Sequence, residues 1–466
     1  MIPLRHVDKI EFEDGQIECV KKSHDSAGLA LLWPVKDNGR LLLNTTRLPE
    51  RNEPYNLNLE LARARLMQIT LKREDWSFFE QSEAFDVQVQ EIQDLFIQAL
   101  QHISEPAKAS EFADESLRKG VEFSEKMAAR YAEQFLAVRF RNKALGRHSL
   151  GCEVDLEQIG KEKYRKWLLD MFGFVTIPVN WRDVETRKGE YDFAKLDECF
   201  RYLAGRRLAL CAGPLLKFTP ETIPQWLLEE KPSFEKIREQ AYAFVTKIVG
   251  RYAKHVHAWR VISGINAMNC FGFNFEQVIE MTRTACLAAK AVDTKSRKVV
   301  ELVYPWGEYY AFDKTTVPPL VYADMVIQSG INFDAFGLQF QFGKDTPGMH
   351  LRDMMQIASR LDCFAAVPKT VHVTGVSIPD NDGTDGEEGS KAGCWRKKWD
   401  QNLQGIWLEE FYKLALGRPY INTVTYSHLA DSPTMPVPGC GLLTAKLTPK
   451  KAFLVMAKFQ RTIMKS

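Results

Sequence analysis

From Gly146 to the end of the chain, short apolar runs rich in β-branched residues alternate with longer segments of helical spacing, and no other feature constrains the fold as strongly. The candidate strands are 149–153, 175–179, 209–216, 258–262, 299–304, 335–341, 370–376 and 423–427. Near-continuous apolar runs of this length suit strands that are covered on both faces, as in a parallel sheet wrapped by helices. Segments such as 234–253 and 275–292 are long and periodic enough to be those helices. Eight such repeats predict an α/β fold, a closed (β/α)8 TIM barrel over 146–466. Side chains just after the C-terminal ends of the strands are then the functional candidates.

The preceding chain reads differently. Residues 1–75 carry apolar runs between turn signals, Gly28-Leu-Ala-Leu-Leu-Trp-Pro-Val35, Gly39-Arg-Leu-Leu-Leu-Asn44 and Leu66-Met-Gln-Ile-Thr-Leu71, which predict a small β-rich, sandwich-like module. Its Trp33, Tyr55 and Trp76 suit either a sugar platform or a buried core, and the core is the expected role. Residues 76–145 change to helical spacing, with Val89, Ile92, Phe96 and Leu100 in one run and Phe123, Met127, Tyr131 and Phe135 in the next. Pro106 separates the two, so a helical hairpin is expected as the connector to the barrel.

Composition excludes several classes. A net charge of +2 over 466 residues gives no field for nucleic acid, and the basic run Arg396-Lys397-Lys398 reads as a solvated surface. No apolar run is long enough to span a membrane, and the N-terminus lacks a secretory apolar core, so a cytoplasmic protein is expected. Nine scattered cysteines fit reduced thiols better than a disulfide framework. No cofactor is expected: there is no Gly-rich phosphate loop, and His148, His350, His372 and His428 show no ligand spacing. His255 and His257 precede the fourth strand, at the face of a barrel that serves stability.

Among strand-end residues, Pro305-Trp-Gly-Glu-Tyr-Tyr310 offers Glu308 between Trp306 and Tyr309, a carboxylate flanked by stacking surfaces. The competing roles for Glu308 are a helix cap or an arginine partner. Glu153 or Asp155, ending the first strand, would supply a second carboxylate for paired acid/base work.

The barrel motifs resemble those of glycoside hydrolase family 10, the xylanase-type barrels. The family's fourth strand reads Trp-Asp-Val-Val-Asn-Glu, with the general acid/base at its end, and here Trp259-Arg260-Val261-Ile262-Ser263-Gly264 occupies that place. Its seventh reads Ile-Thr-Glu-Leu-Asp, with the nucleophile, against Val373-Thr374-Gly375-Val376-Ser377. After the second strand, Trp181, Glu185, Gly189, Tyr191 and Phe193 match, whereas the family's sugar-binding lysine is Asn180. Pro214 and Thr219 stand where the third strand has histidines, and on the sixth Gln339 matches but a histidine is Gln341. Gly441-Leu-Leu443 and Pro449-Lys-Lys-Ala-Phe453 resemble the closing motif.

The resemblance implies a retaining glycosidase framework in which both catalytic glutamates are replaced, by Gly264 and Gly375. Retention needs one carboxyl to protonate the leaving oxygen and another, about 5 Å away, to attack. Glycine does neither. The expectation is therefore a xylan-type oligo- or polysaccharide binder that has lost this mechanism, with Asn180, Trp181, Asn266, Trp306, Tyr309, Gln339 and Gln341 at the sugar. The alternatives are an active O-glycosyl hydrolase on relocated carboxylates, Glu308 with Glu153 or Asp155, and a non-enzymatic scaffold protein.

Overall fold

A computed structural model describes residues 7–21, 24–76, 83–206, 208–382, 391–433, 435–437 and 439–465. Part of the Gly/Asp/Glu-rich stretch 380–393, expected as a loop, falls on 383–390 and lies outside the described residues.

The chain begins with the antiparallel pair β1 (Val7–Glu13) and β2 (Gln16–Lys21) and the hairpin β3 (Ala30–Val35) and β4 (Gly39–Asn44). Three helices follow: α1 (Leu57–Asp75), α2 (Glu83–Gln101) and α3 (Pro106–Arg141). Pro106 sits in the first turn of α3, where a missing N–H costs nothing.

The run Leu66–Leu71, expected as a strand, lies inside α1. The Asn56 side chain accepts from Leu59 N at 3.2 Å and starts a helix in which Leu59, Ala62, Arg65 and Ile69 bury one face. Their spacing of three and four overrides the local apolar run. The β-rich portion is thus confined to the chain before α1.

The barrel strands are β5 (Leu150–Glu153), β6 (Phe174–Ile177), β7 (Ala209–Ala212) continued as β8 (Leu216–Lys217), β9 (Ala258–Ser263), β10 (Arg297–Leu302), β11 (Ala335–Gln341), β12 (Thr370–Ser377) and β14 (Ile421–Tyr426). All pair in parallel, and the β9 to β10 and β14 to β5 ladders complete the circuit. Helices follow each strand around the outside, from Glu162–Met171 to Lys451–Lys465, which makes this a (β/α)8 barrel.

The N-terminal sheet is not a separate unit. Its third strand, β13 (Cys394–Trp395), comes from the barrel chain after β12 and pairs with β4. Gly39 makes this possible: its φ is +89°, and a Cβ there would lie 2.2 Å from the Cys394 carbonyl oxygen. Across the same junction, buried Arg65 of α1 reaches Asp353 at 2.5 Å, and Trp76 stacks on Tyr131 while donating to Asp362 at 3.1 Å. Trp76 is therefore core. Tyr55 donates its hydroxyl to Pro49 O.

Candidate functional site at the barrel mouth

The barrel interior holds an ion cluster. Arg260, in the middle of β9, points inward and donates to Glu301 Oε1 at 3.0 Å, to Glu153 Oε2 at 2.6 Å and to Gly213 O at 2.5 Å. Glu301 on β10 is fully buried and also accepts from Gln339 Nε2 at 2.9 Å. Burial would raise the Glu301 carboxyl, but the Arg260 charge and donors from Ser263, Thr374 and Gln339 hold it below the usual range. Burial likewise opposes the charge on Arg260, and the two carboxylates outweigh it and raise its value. Sequence reasoning missed Arg260 and Glu301 as a pair. The signal was one cation and one anion, each alone in its apolar run, 258–262 and 299–304, and thus needing a buried partner.

The two glycines behave differently. Gly264 follows β9 with φ +62°, and a Cβ there would come within 2.8 Å of Val303 Cγ2 and 3.0 Å of Met268 Cε. No side chain fits without strain. Gly375 has an ordinary backbone, and its missing Cβ would meet Gln339 Cγ and Ser427 Oγ, each at 3.2 Å.

Most of the expected sugar contacts are committed elsewhere. Trp181 is 2% exposed, stacked on Phe244, with Nε1 donating to Glu185 at 2.7 Å, so its ring offers no face to a ligand. Asn266 is buried and donates to Tyr309 Oη at 2.6 Å and Val317 O at 3.0 Å, while Tyr309 donates to Val317 O at 2.8 Å. These two tie a loop together. Gln339 serves Glu301, and Gln341 is half-buried at the end of β11. Trp306 is half-buried beneath Arg352, whose guanidinium lies 4.0 Å from the ring centroid.

Glu308 is the arginine partner rather than a free acid. It forms an ion pair with buried Arg352 and accepts from Gly348 N. Burial drives Arg352 down to about 10 despite that pair. Glu308 leads into the short helix Tyr309–Phe312, but its side chain makes no cap hydrogen bond there.

What the mouth does bring together is Glu153, Asp155 and Asn180, in a cleft of about 600 Å³ at the ends of β5, β6 and β14. Its walls include Asp183, Asp192 and Lys195 after β6, and Ser427 and His428 after β14. Glu308, Trp306, Tyr309, Gln339 and Gln341 do not line it. Asn180 accepts from Arg182 N at 3.1 Å, and Asp155 accepts from Glu157 N at 2.9 Å and Gln158 Nε2 at 3.0 Å. Burial lowers the His428 imidazole, against the pull of Glu153, Asp155 and Asp431. Among the described residues no group of three His, Cys, Asp or Glu side chains is disposed to hold a metal ion, and no helix is long and apolar enough to cross a membrane.

The fold is similar to xylanase 10B from Thermotoga maritima, at 14% identity and TM-score 0.53 over 70% of this chain and 99% of that one. It is also similar to a GH10 structure from Paenibacillus barcinonensis, at 17% identity and TM-score 0.52 over 69% and 97%. Xylanase 10B from Thermotoga petrophila RKU-1, solved with xylobiose, gives 15% and 0.51 over 70% and 95%. No curated protein matches the chain in sequence. The sequence profile described as glycosyl hydrolase family 10 matches residues 139–434, more than half of the chain and all of its barrel strands, and the protein belongs to that family.

Proposed function

We propose that this family member binds an oligosaccharide in the cleft at the ends of β5, β6 and β14 and does not carry out the two-glutamate retaining reaction. The observation that carries the reading is Gly264. Its left-handed backbone and the contacts a Cβ would make leave no room for an acid at the position matched to the family's acid/base. The cleft lies at the C-terminal ends of the strands, where barrels of this type bind their ligands. The xylobiose complex of the Thermotoga petrophila relative supports a short saccharide as the ligand class.

A second reading keeps hydrolysis on relocated carboxylates. Glu308 is unsuited to it, being paired with Arg352 outside the cleft, which leaves Glu153 and Asp155. Arg260 donates to Glu153 Oε2 at 2.6 Å from beneath, so one oxygen of that carboxylate is already engaged within the barrel.

Thermal shift with xylobiose and longer oligosaccharides, alongside hydrolysis of xylan and aryl glycosides, tests both. A ligand bound only by the folded state must raise Tm. Stabilisation without turnover is expected. Turnover abolished by Glu153→Gln would establish the hydrolase instead, and the absence of any shift would favour a scaffold.

A further inference from the structure

We infer that the oligosaccharide taken by the β5/β6/β14 cleft is cationic, a short chain carrying protonated amino sugars. This rests on the carbohydrate-binding reading and adds the charge of the ligand to it. Among the described residues five carboxylates line the cleft, those of Glu153, Asp155, Glu157, Asp183 and Asp192, against a single lysine, Lys195. That lysine is taken by Glu157. Asp155 and Asp192 accept from neutral donors, Glu157 N, Gln158 Nε2 and Ala194 N, and neither forms a salt bridge among the described residues. Asp183 forms no salt bridge among the described residues and is exposed. Beneath them, Arg260 divides its charge between Glu153 and the buried Glu301.

Two further observations point to a ligand with hydroxyls as well as charge. The Nε2 of His428 is buried and has no hydrogen-bond partner among the described residues, although the ring lines the cleft. Ser427, 8% exposed, lines it too. Among the described residues the cleft wall contains no Phe, Tyr or Trp. A neutral sugar held by stacking has no platform here, whereas an ammonium group meets several carboxylates and its hydroxyls meet His428 and Ser427. Focusing of like charges in a low-dielectric cleft concentrates ligands of opposite sign. A volume of about 600 Å³ suits two or three sugar units.

Isothermal titration of the full chain with glucosamine dimer and trimer, their N-acetylated counterparts, xylobiose and xylotriose, and spermine decides the matter. The glucosamine oligomers are expected to bind about tenfold more tightly than the N-acetylated ones at low salt, the effect of two partly solvated charge contacts. That advantage should shrink as salt rises and in Asp183→Asn and Asp192→Asn, both exposed positions where folding is not at stake. Equal or tighter binding of the N-acetylated or xylose oligomers overturns the charge assignment and leaves the carbohydrate reading standing. Spermine binding as tightly as the glucosamine trimer overturns the sugar component. No binding by any saccharide removes the carbohydrate reading and this inference together.

Discussion

The Nη1 of Arg260 stands 3.0 Å from Oε1 of Glu301, with 3% of one side chain and none of the other open to solvent. A buried pair of this kind is weak as a source of net stability but costly to break on one side, because the remaining charge has no water. Arg260→Met should therefore lose about 3–5 kcal/mol in urea unfolding. The double variant Arg260→Met with Glu301→Gln should recover most of it, since Gln339 and the hydroxyls around position 301 can still hydrogen-bond an amide. Equal losses in the single and double variants would mean that Arg260 acts through packing alone.

The two glycines predict opposite tolerances. Gly264→Ala forces a Cβ into left-handed backbone 2.8 Å from Val303 and should cost about 2 kcal/mol. At Gly375 the backbone is ordinary and the neighbours are side-chain atoms of Gln339 and Ser427 that need give only a few tenths of an ångström, so Gly375→Ala should cost well under that, about 1 kcal/mol or less. The double variant Gly264→Glu with Gly375→Glu should remain without useful xylanase activity. One new acid would sit on the strained backbone of position 264, and Pro214, Thr219 and Gln341 supply no histidine to orient either acid. Appreciable xylan hydrolysis by that variant would show a pocket less altered than its backbone implies.

The barrel was legible in the sequence because buried parallel strands announce themselves as apolar runs. The run 335–341 coincides with β11, the run 209–216 is interrupted between β7 and β8, and the others shift by one or two residues at their ends. Leu66–Leu71 was misread because six residues of apolar character do not distinguish a strand from one turn and a half of buried helix. At the site, motif matching located strand ends but not the direction of side chains. Trp181, matched to the family, and Tyr309, chosen for its place after a strand, are both buried, and Glu308 is paired with Arg352. Arg260 was visible but unassigned, since its partners Glu301 and Glu153 come from strands 41 and 107 residues away in sequence.

The N-terminal helices should depend on one pair for their seating. Arg65 of α1 meets Asp353 at 2.5 Å, both fully buried, and Asp353 also accepts from Gln356 N at 3.1 Å, capping the helix Met354–Cys363. Asp353→Ala removes the partner of a buried cation and a helix cap together, an expected loss of about 4–5 kcal/mol. Limited proteolysis should then cut within residues 1–145 before the barrel. If the barrel is cleaved first, the pair does not anchor this junction.

Acid should weaken the barrel through His372, in the middle of β12. Its Nδ1 lies 2.9 Å from Thr423 Oγ1 on β14, and burial, with the Arg297 charge nearby, drives the imidazole down to about 4. The unfolded chain would take up a proton near pH 6.5, whereas the folded chain resists until about 4. Between those values the unfolded state binds more protons, so stability is full above pH 6.5 and falls as pH drops toward 4. At about 1.4 kcal/mol per pH unit, the loss from this one group approaches about 3 kcal/mol at the bottom of the window. Buried acids such as Glu301 add their own slope lower down, so the quantity to measure is the difference between the wild type and His372→Gln. The glutamine amide can still bond Thr423 but does not titrate. Tm profiles from pH 7 to 4 should diverge, with the variant flatter. Parallel profiles would mean that His372 protonates in place and that the acid sensitivity of the barrel lies elsewhere.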